Sequence, residues 1–497
     1  MTKIMEKIKY IKNNYLIEII IVTIMAIILV NTLFISPIVG KVDNGDFGRL
    51  MCYGGLDNVN NEYSKIYDKF LHTKYLIANP GIFAPVYINW VSVSILLKAA
   101  VLLCLTVNDF NSNVFDIRYL AFVYCVAFLI GIFFIVSFKK FSPILKMVAG
   151  AFIIMFFTSA CYITYFNSFF GEAGTIVFFF LNIGTYLYLI TRKHVSTRHF
   201  VYFFIASGGF LTAKSQNVPL LIFMLIIYAG LYVNYKQKKF RKNIIIGTLI
   251  VIVVCCISYF SLSSTMNENN IYQSVFSGVL RGSENPAKDL QELGVDKKFM
   301  VFYGHSFYDR KNGHDPMGKD MLEEFYPKVS FTKVLGFYIK HPDRLWQKIV
   351  DSADNAYDFS GITKSNFIKG QYDPNKKINN FRLKLIKKFP KLHRNIFIFI
   401  AFSSIYLGVL IFYFVREKST RLLDLMLLFI LASGASQLVL PVIGSGHGDF
   451  GKHLFLLNLS YDIMAGIAVL WVVHIISAAV IKIKQKLSCL MKVKNDN

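Results

Sequence analysis

The sequence predicts an all-α integral membrane protein, built as a bundle of about ten transmembrane helices. Its mean hydropathy is +0.48, and only 17% of its 497 residues are charged. Several apolar stretches reach the 18 or more residues that cross a bilayer as a helix. A charge facing lipid within a span costs roughly 2.5–3.5 kcal/mol, and the charged residues accordingly concentrate between the apolar stretches.

The formal net charge of +24 does not point to nucleic acid. Much of the Lys and Arg lies in short runs at the ends of apolar stretches, where the cytoplasmic loops of membrane proteins carry them. The sequence therefore predicts the lipid bilayer as a partner and no nucleic acid.

Ten apolar stretches are predicted to span a cell membrane. The loops on one side are rich in Lys and Arg, and the short loops on the other side hold one such residue or none before Lys452. This bias places both termini in the cytoplasm. The predicted spans are 15–36, 117–138, 147–165, 174–191, 199–212, 218–234, 244–263, 395–415, 422–441 and 454–481.

One further apolar stretch, 86–105, is predicted to lie along the membrane outside the cell. It carries Ser92, Ser94 and Lys98 in its middle, as a helix at the interface does. If it crossed the membrane, it would place the lysines that follow the second span outside and reverse every later loop.

The chain is predicted to have three parts. Residues 1–263 form an amino-terminal transmembrane module with a first external loop at 37–116. Residues 264–393 are too polar to span and too long for a plain connector, so a small, mostly helical external domain is expected. Residues 394–497 supply the last transmembrane helices and a basic cytoplasmic tail.

Four polar motifs follow spans on the outer side in this topology. Two of them share the run Gly-Asp-Phe-Gly followed by a cation, at 45–49 and 448–452. Loops that join bundled helices at one face lie close together, so the motifs are predicted to line a single cavity. They are Asp43, Asp46 and Arg49; Asn167 and Glu172; Lys214, Gln216 and Asn217; and His447, Asp449, Lys452 and His453.

Carboxylates beside cations suit sugar transfer from a lipid phosphate to a hydroxyl. The transition state resembles an oxocarbenium ion, by analogy with glycoside hydrolysis. A carboxylate can take the acceptor's proton, and cations can stabilise the departing phosphate. The space outside the cell holds no nucleotide pool, so a lipid-linked donor fits the position of the cavity.

Each motif also has a plainer structural explanation. Asp43 can fix the turn through Asn44-Gly45, and Asp46 can pair locally with Arg49. Glu172 precedes a span, where a carboxylate favours the helix dipole. Lys214 could be an interfacial anchor. The remaining motif could be a solvated hairpin formed by Asp449, Lys452 and His453.

A metal site remains open. His447, Asp449 and His453 could hold a divalent cation, but their spacing is not diagnostic. Apart from this possible cation, the sequence does not firmly imply any cofactor.

Taken in order, the motifs resemble the GT-C superfamily of polytopic glycosyltransferases. More narrowly, they resemble bacterial WsfD-like hexosyltransferases of cell-surface glycan synthesis. The resemblance covers most of the chain and rests on Asp43–Arg49, Asn167–Gly174, Ala213–Asn217 and Lys452–Phe455. It implies a GT-C-like bundle with external juxtamembrane helices. It also implies transfer of a sugar, expected to be a hexose, from a polyprenyl-phosphate carrier to a cell-surface glycan or lipid-linked acceptor.

By position, Asp46 matches the first-loop carboxylate that such enzymes use as a base or to orient the acceptor, and Glu172 matches the acidic residue of their second functional loop. We expect Glu172 to position the acceptor or a cation. A metal-binding Asp-x-Asp motif is missing from the sequence, which leaves metal dependence open. The carrier phosphate is assigned to Arg49, Lys214 and Lys452, and further substrate contacts to Asp43, Asn167, Gln216, Asp449 and His453.

Two other classes of function are compatible with the sequence. A transporter or flippase of a lipid-linked glycan would need polar residues deep in the spans, and few occur beyond Asn182 and Ser258. A non-catalytic subunit of an envelope glycan machine would tolerate replacement of the outer carboxylates.

Overall fold

The computed structural model describes residues 2–59, 69–78, 92–261, 264–309, 314–359, 361–447 and 450–495. It shows a helical bundle with one small sheet, so the prediction of an all-α membrane protein is confirmed. The longer helices are α1 (Thr2–Leu33), α2 (Ser92–Val107), α3 (Arg118–Val136), α4 (Pro143–Phe157), α5 (Gly171–Ile190), α6 (Thr197–Leu211), α7 (Leu221–Asn234), α8 (Lys238–Phe260), α9 (Ser264–Tyr272), α10 (Pro286–Glu292), α11 (Phe331–Lys340), α12 (Pro342–Asp354), α13 (Phe381–Lys388), α14 (Ile396–Arg416), α15 (Arg421–Ala435) and α16 (Phe455–Asn495).

Short helical turns connect these helices. Four-to-six-residue α-helical turns occupy Gly48–Met51, Ala160–Ile163, Pro390–His393, Leu440–Ser445 and Phe450–His453. Turns of 3₁₀ helix occupy Cys52–Gly54, Thr164–Phe166, Ser215–Leu220, Lys297–Phe302, Tyr326–Lys328, Lys364–Asn366 and Ser436–Leu438. The segments Gln273–Val279 and Met321–Phe325 are π-helical.

Eight helices in the described ranges are long and apolar enough to cross a membrane. They coincide with eight of the ten predicted spans. The predicted third span is a pair, Pro143–Phe157 and Ala160–Phe166, bent by 62° at a short break, and counting it as one gives nine. The predicted fifth span is helix α6, whose 15 residues are fewer than the roughly 18 that cross a bilayer as a helix.

Helix α2 covers the described part of the predicted interfacial stretch 86–105. Residues 86–91 lie outside the described residues. It is apolar and has 16 residues. Both serines that suggested an interfacial helix are buried against protein, and the Ser92 hydroxyl donates to the Gly209 carbonyl at 2.6 Å. The orientation of α2 relative to the bilayer stays a prediction.

Helix α5 is the centre of the bundle, because nearly every side chain from Glu172 to Leu187 is buried. It approaches α3 closely at two glycines. A Cβ atom on Gly184 would lie 2.5 Å from the Gly131 carbonyl oxygen. Small residues allow backbones in membrane bundles to approach this closely, so these glycines bring α5 against α3.

A three-stranded antiparallel sheet, which the sequence analysis did not predict, lies in the first loop. Its strands are β1 (Leu56–Asn58), β2 (Lys74–Ile77) and β3 (Val114–Asp116). The register pairs Asp57 with Leu76 and Tyr75 with Phe115. The buried rings of Tyr75 and Phe115 pack against Phe169, and the sheet therefore rests on the loop before α5.

Segment 264–393 packs in two parts. Buried residues from Ile271 to Phe307 and from Met321 to Tyr338 form a separate apolar core with Val442. Buried residues between Ala353 and Ile386 instead join the core of the bundle. The predicted division at 264 and 393 stays a prediction.

A buried ion pair attaches the end of this segment to α16. Arg382 donates from Nε and Nη2 to the two carboxylate oxygens of Asp462, at 2.7 and 2.6 Å. The hydroxyls of Tyr162 and Tyr357 donate to the same carboxylate, at 2.6 and 2.9 Å. Four such bonds satisfy a buried charge, and they fix the first turns of α16, which carry part of the site.

Candidate functional site

Residues from each of the four polar motifs meet where α1, α5, α6 and α16 end or begin. We call this place the site end of the bundle. Its parts are joined by contacts among residues 33–49, 167–175, 212–217 and 452–453.

Asp43 shapes the first loop of the site. Its Oδ1 accepts hydrogen bonds from the backbone N–H groups of Gly45 and Phe47, at 2.8 and 3.2 Å. Burial raises the pKa of Asp43 above its ordinary value, although these two bonds favour the charged form. The local geometry is that of an Asx turn, which aims Asp46 at the other parts of the site. Substrate contact by Asp43 stays a prediction.

Asp46 lies between two cations. Its Oδ2 accepts from the Lys452 ammonium at 2.6 Å, and its Oδ1 pairs with Arg49 Nη2 at 3.1 Å. Burial opposes ionisation, but the charges of Arg49 and Lys452 hold the pKa of Asp46 below its usual range. The side chain is 26% exposed. Asp46 is therefore an ionised carboxylate within reach of a ligand.

Glu172 forms the second carboxylate–lysine pair. Its Oε1 accepts from Lys214 Nζ at 2.7 Å, and the side chain is 2% exposed. It stands in the first turn of α5, where the helix dipole favours a negative charge. A Cβ on the preceding Gly171 would lie 2.8 Å from Lys214 Cγ. Glycine at 171 therefore lets the lysine stem cross the helix terminus.

Lys452 and Lys214 border one narrow cleft, whose free volume of about 10 Å³ has room for about one water molecule. Binding of a larger group, such as a phosphate, would therefore require the lining side chains to move apart. Lys452 also lies 4.4 Å from the centre of the Phe170 ring. The lining residues are Thr175, Lys214, Gln216, Asn217, Lys452, His453, Phe455 and Leu456.

Gln216 ties the cleft to the segment before α16. Its Nε2 donates to the His453 carbonyl at 2.7 Å and also to Gln437 Oε1, and its Oε1 lies 3.3 Å from His453 Nδ1. Asn217 is buried, and its amide donates to the Phe210 carbonyl at 3.0 Å and to the Thr175 hydroxyl at 3.4 Å. The polar wall is therefore held in place by its own hydrogen bonds.

Asn167 is not brought to the cleft. The side chain is fully buried, and its Nδ2 donates to the carbonyls of Leu33 and Val39, both at 2.9 Å. It ties the end of α1 to the loop before α5. These two bonds occupy the amide nitrogen, whereas the buried Oδ1 has no hydrogen-bond partner among the described residues. Substrate binding by Asn167 stays a prediction.

Asp449 lies outside the described residues, so the metal set of His447, Asp449 and His453 stays a prediction. Of those residues, His447 lies beside Ser277, and its N–H donates to the Ser277 carbonyl at 3.2 Å. Across the described ranges, no group of three or more His, Cys, Asp or Glu side chains could hold a metal ion.

Lys41 is a part of the site that the sequence reasoning missed. Its ammonium lies 4.9 Å from the centre of the Tyr165 ring, and burial lowers the pKa of Lys41 below its ordinary value. Electrostatic interactions reach it from both Glu172 and Lys452. Its position two residues before Asp43 was the available signal.

The segment after α8 reaches the same site. Arg49 Nη2 donates to the Tyr308 hydroxyl at 3.5 Å, and the Asn269 amide donates to that hydroxyl at 2.9 Å. In the same segment, His305 pairs with Asp309 at 3.0 Å and its ring stacks on that of His314.

Comparison with known proteins identifies the family. The model of the family described as the YfdI N-terminal transmembrane domain matches residues 5–494. The chain belongs to the YfdI family. The uncharacterized protein YfdI of Escherichia coli (strain K12) is 22% identical over 324 residues, which are 64% of this chain and 67% of that protein. Membership in a transmembrane family agrees with a multi-pass membrane protein.

A solved structure is similar to this member of the YfdI family at low identity. It is the archaeal oligosaccharyltransferase AglB from Archaeoglobus fulgidus, determined in complex with an inhibitory peptide and a dolichol-phosphate. The identity is 13% and the TM-score 0.40, over 95% of this chain. The chain spans about half the length of AglB, 52% of it.

Proposed function

We propose that this protein transfers a sugar from a polyprenyl-phosphate carrier to a cell-surface glycan or lipid-linked acceptor. The resemblance of the sequence motifs favours a hexose as this sugar. Transfer takes place at the outer face of the membrane, and both termini lie in the cytoplasm. The observation that carries the proposal is the pairing of two carboxylates, Asp46 and Glu172, with two lysines that border one cleft.

The cations receive the phosphate. Lys452 and Lys214 line the cleft, and Arg49 adjoins it through Asp46. Charge-assisted hydrogen bonds from several cations stabilise a phosphate more as its negative charge grows during bond cleavage. Lys41 adds a further positive charge nearby, and Phe170 gives the Lys452 ammonium a second favourable contact when it leaves Asp46.

Asp46 acts as the base. The acceptor hydroxyl oxygen forms a bond to the anomeric carbon, and its proton moves to the Asp46 carboxylate. The bond from the anomeric carbon to the phosphate oxygen breaks, and its electron pair leaves with the lipid phosphate. The attack comes from the opposite face, so the configuration at the anomeric carbon is inverted.

The Lys452–Asp46 ion pair couples these two roles. A donor phosphate that draws Lys452 away from Asp46 frees Oδ2 and removes a charge that lowers the pKa of that carboxyl. Donor binding therefore makes Asp46 both available and more basic. Glu172, held by Lys214, positions the acceptor or a cation.

Transfer in proteoliposomes tests the proposal. Wild type, Asp46→Asn and the control Asp57→Asn are supplied with radiolabelled polyprenyl-phosphate hexoses and a cell-envelope acceptor. Asp57 is an exposed aspartate of β1 whose carboxylate caps its neighbour's N–H at 2.8 Å. We expect transfer by wild type and Asp57→Asn, and a loss of about 100-fold or more in Asp46→Asn, the size typical of general-base removal.

Two results would contradict the proposal. Equal transfer by wild type and Asp46→Asn would remove Asp46 from the mechanism. Movement of the donor across the bilayer by wild type, with no transfer to any acceptor, would indicate a flippase instead.

A further inference from the structure

A second group of cations lies on helix α12, away from the cleft. Arg344, Lys348 and Ser352 are spaced four residues apart, so they share one face of the helix. Lys348 is only 5% exposed, and its ammonium donates to the Arg281 carbonyl at 2.7 Å. Arg344 donates from Nη2 to the Val279 carbonyl at 2.5 Å. This face of α12 is therefore turned towards the loop at 279–281.

Positive charge exceeds negative charge at this place. Arg344 pairs with Asp289 at 3.1 Å, so that carboxylate is already engaged. Lys348 lies near three other basic residues, Arg281, Arg344 and His447. The carboxylate of Asp351 is the negative charge that interacts electrostatically with the Lys348 ammonium. Burial, with help from the two arginines, lowers the pKa of Lys348 to about 8. In the described part of the chain, no carboxylate forms an ion pair with its ammonium.

Polar atoms without a partner lie among these charges. The hydroxyls of Ser352 and Tyr338 are buried, and so is Arg344 Nε, and none has a hydrogen-bond partner among the described residues. Tyr338 is adjacent to Gly278, and the hydroxyl lies 3.6 Å from where a Cβ on that glycine would stand. Buried polar atoms are nearly always paired, so these three donors indicate a ligand with several acceptor oxygens.

We propose that Arg281, Tyr338, Arg344, Lys348, Ser352 and His447 form a second anion-binding site, the Lys348 site, which takes a phosphate group. A tetrahedral anion accepts hydrogen bonds from cations and hydroxyls on several sides at once. It would neutralise the buried ammonium and pair the hydroxyls.

The position of the Lys348 site suggests two sources of phosphate. Trp346, on the exposed face of α12, has its ring centre 6.5 Å from that of Phe397 in the first turn of the span Ile396–Arg416. The site therefore lies at the level of a span end, where a lipid head group and a free phosphate can both reach it. In the sequence, His447 of this site is five residues before Lys452 of the Asp46 cleft.

Binding of two probes tests the proposal on the full-length protein. Inorganic phosphate is titrated by calorimetry at constant ionic strength into protein in phosphatidylcholine nanodiscs. Retention of phosphatidic acid against phosphatidylcholine is measured by native mass spectrometry. The test variant is Lys348→Met. The control is Lys340→Met, which removes the same charge from the neighbouring helix, where the Lys340 side chain is 69% exposed.

We expect Lys348→Met to weaken binding of at least one probe about tenfold or more, because a charge-assisted bond is lost. Lys340→Met should bind as wild type does. An effect on inorganic phosphate identifies a site for free phosphate, and an effect on phosphatidic acid alone identifies a lipid head-group site.

Equal binding by Lys348→Met and Lys340→Met, for both probes, would overturn the proposal. If Lys348→Met does not fold, Arg281→Gln and Ser352→Ala decide the question independently. Each should weaken binding of inorganic phosphate, phosphatidic acid or both severalfold. Neither probe requires sugar transfer, so this result is separate from the fate of the proposed function.

Discussion

The Lys452 ammonium lies 2.6 Å from Oδ2 of Asp46, although the two residues are 406 positions apart in the sequence. The contact joins the loop after the first span to the segment before the last one. It places a cation suited to phosphate beside a carboxylate suited to proton transfer. The proposed chemistry depends on this pair, and so do the most direct tests of it.

The pH dependence of transfer should report the pair. The charge of Lys452 lowers the pKa of Asp46. The Lys452→Met substitution removes this charge and therefore raises the pKa of Asp46, so a higher pH is needed to ionise the base. We expect the acid limb of the kcat/KM profile to move to higher pH than in wild type. A control in Lys340→Met should leave the limb in place. An unmoved limb in Lys452→Met would show that another group titrates there.

The buried ion pair between Arg382 and Asp462 should dominate local stability. Asp462→Asn leaves the Arg382 guanidinium buried without a countercharge, and loss of one partner of such a pair costs about 3–5 kcal/mol. The unfolding midpoint in detergent should fall clearly. Asp358→Asn breaks an exposed pair with Arg394 and should change stability by less than about 1 kcal/mol. Similar midpoints for the two variants would contradict this account.

Lys348 should oppose folding at neutral pH. Its pKa is lowered to about 8 in the folded protein, so between about pH 8 and its ordinary pKa near 10.4 the unfolded chain binds more protons. Stability from this residue therefore rises with pH through that window. Lys348→Met should raise the unfolding midpoint at pH 7, and its advantage over wild type should shrink by pH 10. An advantage independent of pH would show that Lys348 is not the titrating group.

Asn167 should be structural. Asn167→Ala removes two buried hydrogen bonds to the carbonyls of Leu33 and Val39 and should destabilise the protein by about 1–3 kcal/mol. Asn111→Ala, at an exposed asparagine, serves as the control in the same thermal unfolding experiment. If Asn167→Ala unfolds like wild type but loses affinity for the donor, the residue belongs to the binding site after all.

The parts of the site that the sequence predicted share one property. Asp46, Glu172, Lys214 and Lys452 are charges at the ends of apolar stretches, and the cost of burying charge in lipid confines them there. Because loops rich in Lys and Arg alternate along the chain with loops that have few, the predicted topology puts all four residues on the same side of the membrane. The hydrophobic pattern was therefore sufficient to collect them, but it could not pair Asp46 with Lys452 or Glu172 with Lys214.

Other features depend on tertiary contacts that no local pattern reveals. The Arg382–Asp462 pair spans 80 positions and places a carboxylate inside an apolar stretch that was predicted as an ordinary span. The break near residue 158 lies within one apolar stretch, where the Asn379 amide donates to the Thr158 hydroxyl at 2.8 Å. The three strands of the first loop have three or four residues each, too few to show an alternating pattern.

The most direct test of the central claim separates donor binding from chemistry at the Asp46–Lys452 pair. Single-turnover transfer and donor affinity are measured for wild type, Asp46→Asn and Lys452→Met in the same nanodiscs. Asp46→Asn should bind the donor at least as tightly as wild type does, because Lys452 no longer has to leave a carboxylate, and it should transfer the sugar about 100-fold or more slowly. Lys452→Met should lose donor affinity about tenfold or more. Wild-type transfer by Asp46→Asn, or wild-type donor affinity in Lys452→Met, would contradict the account.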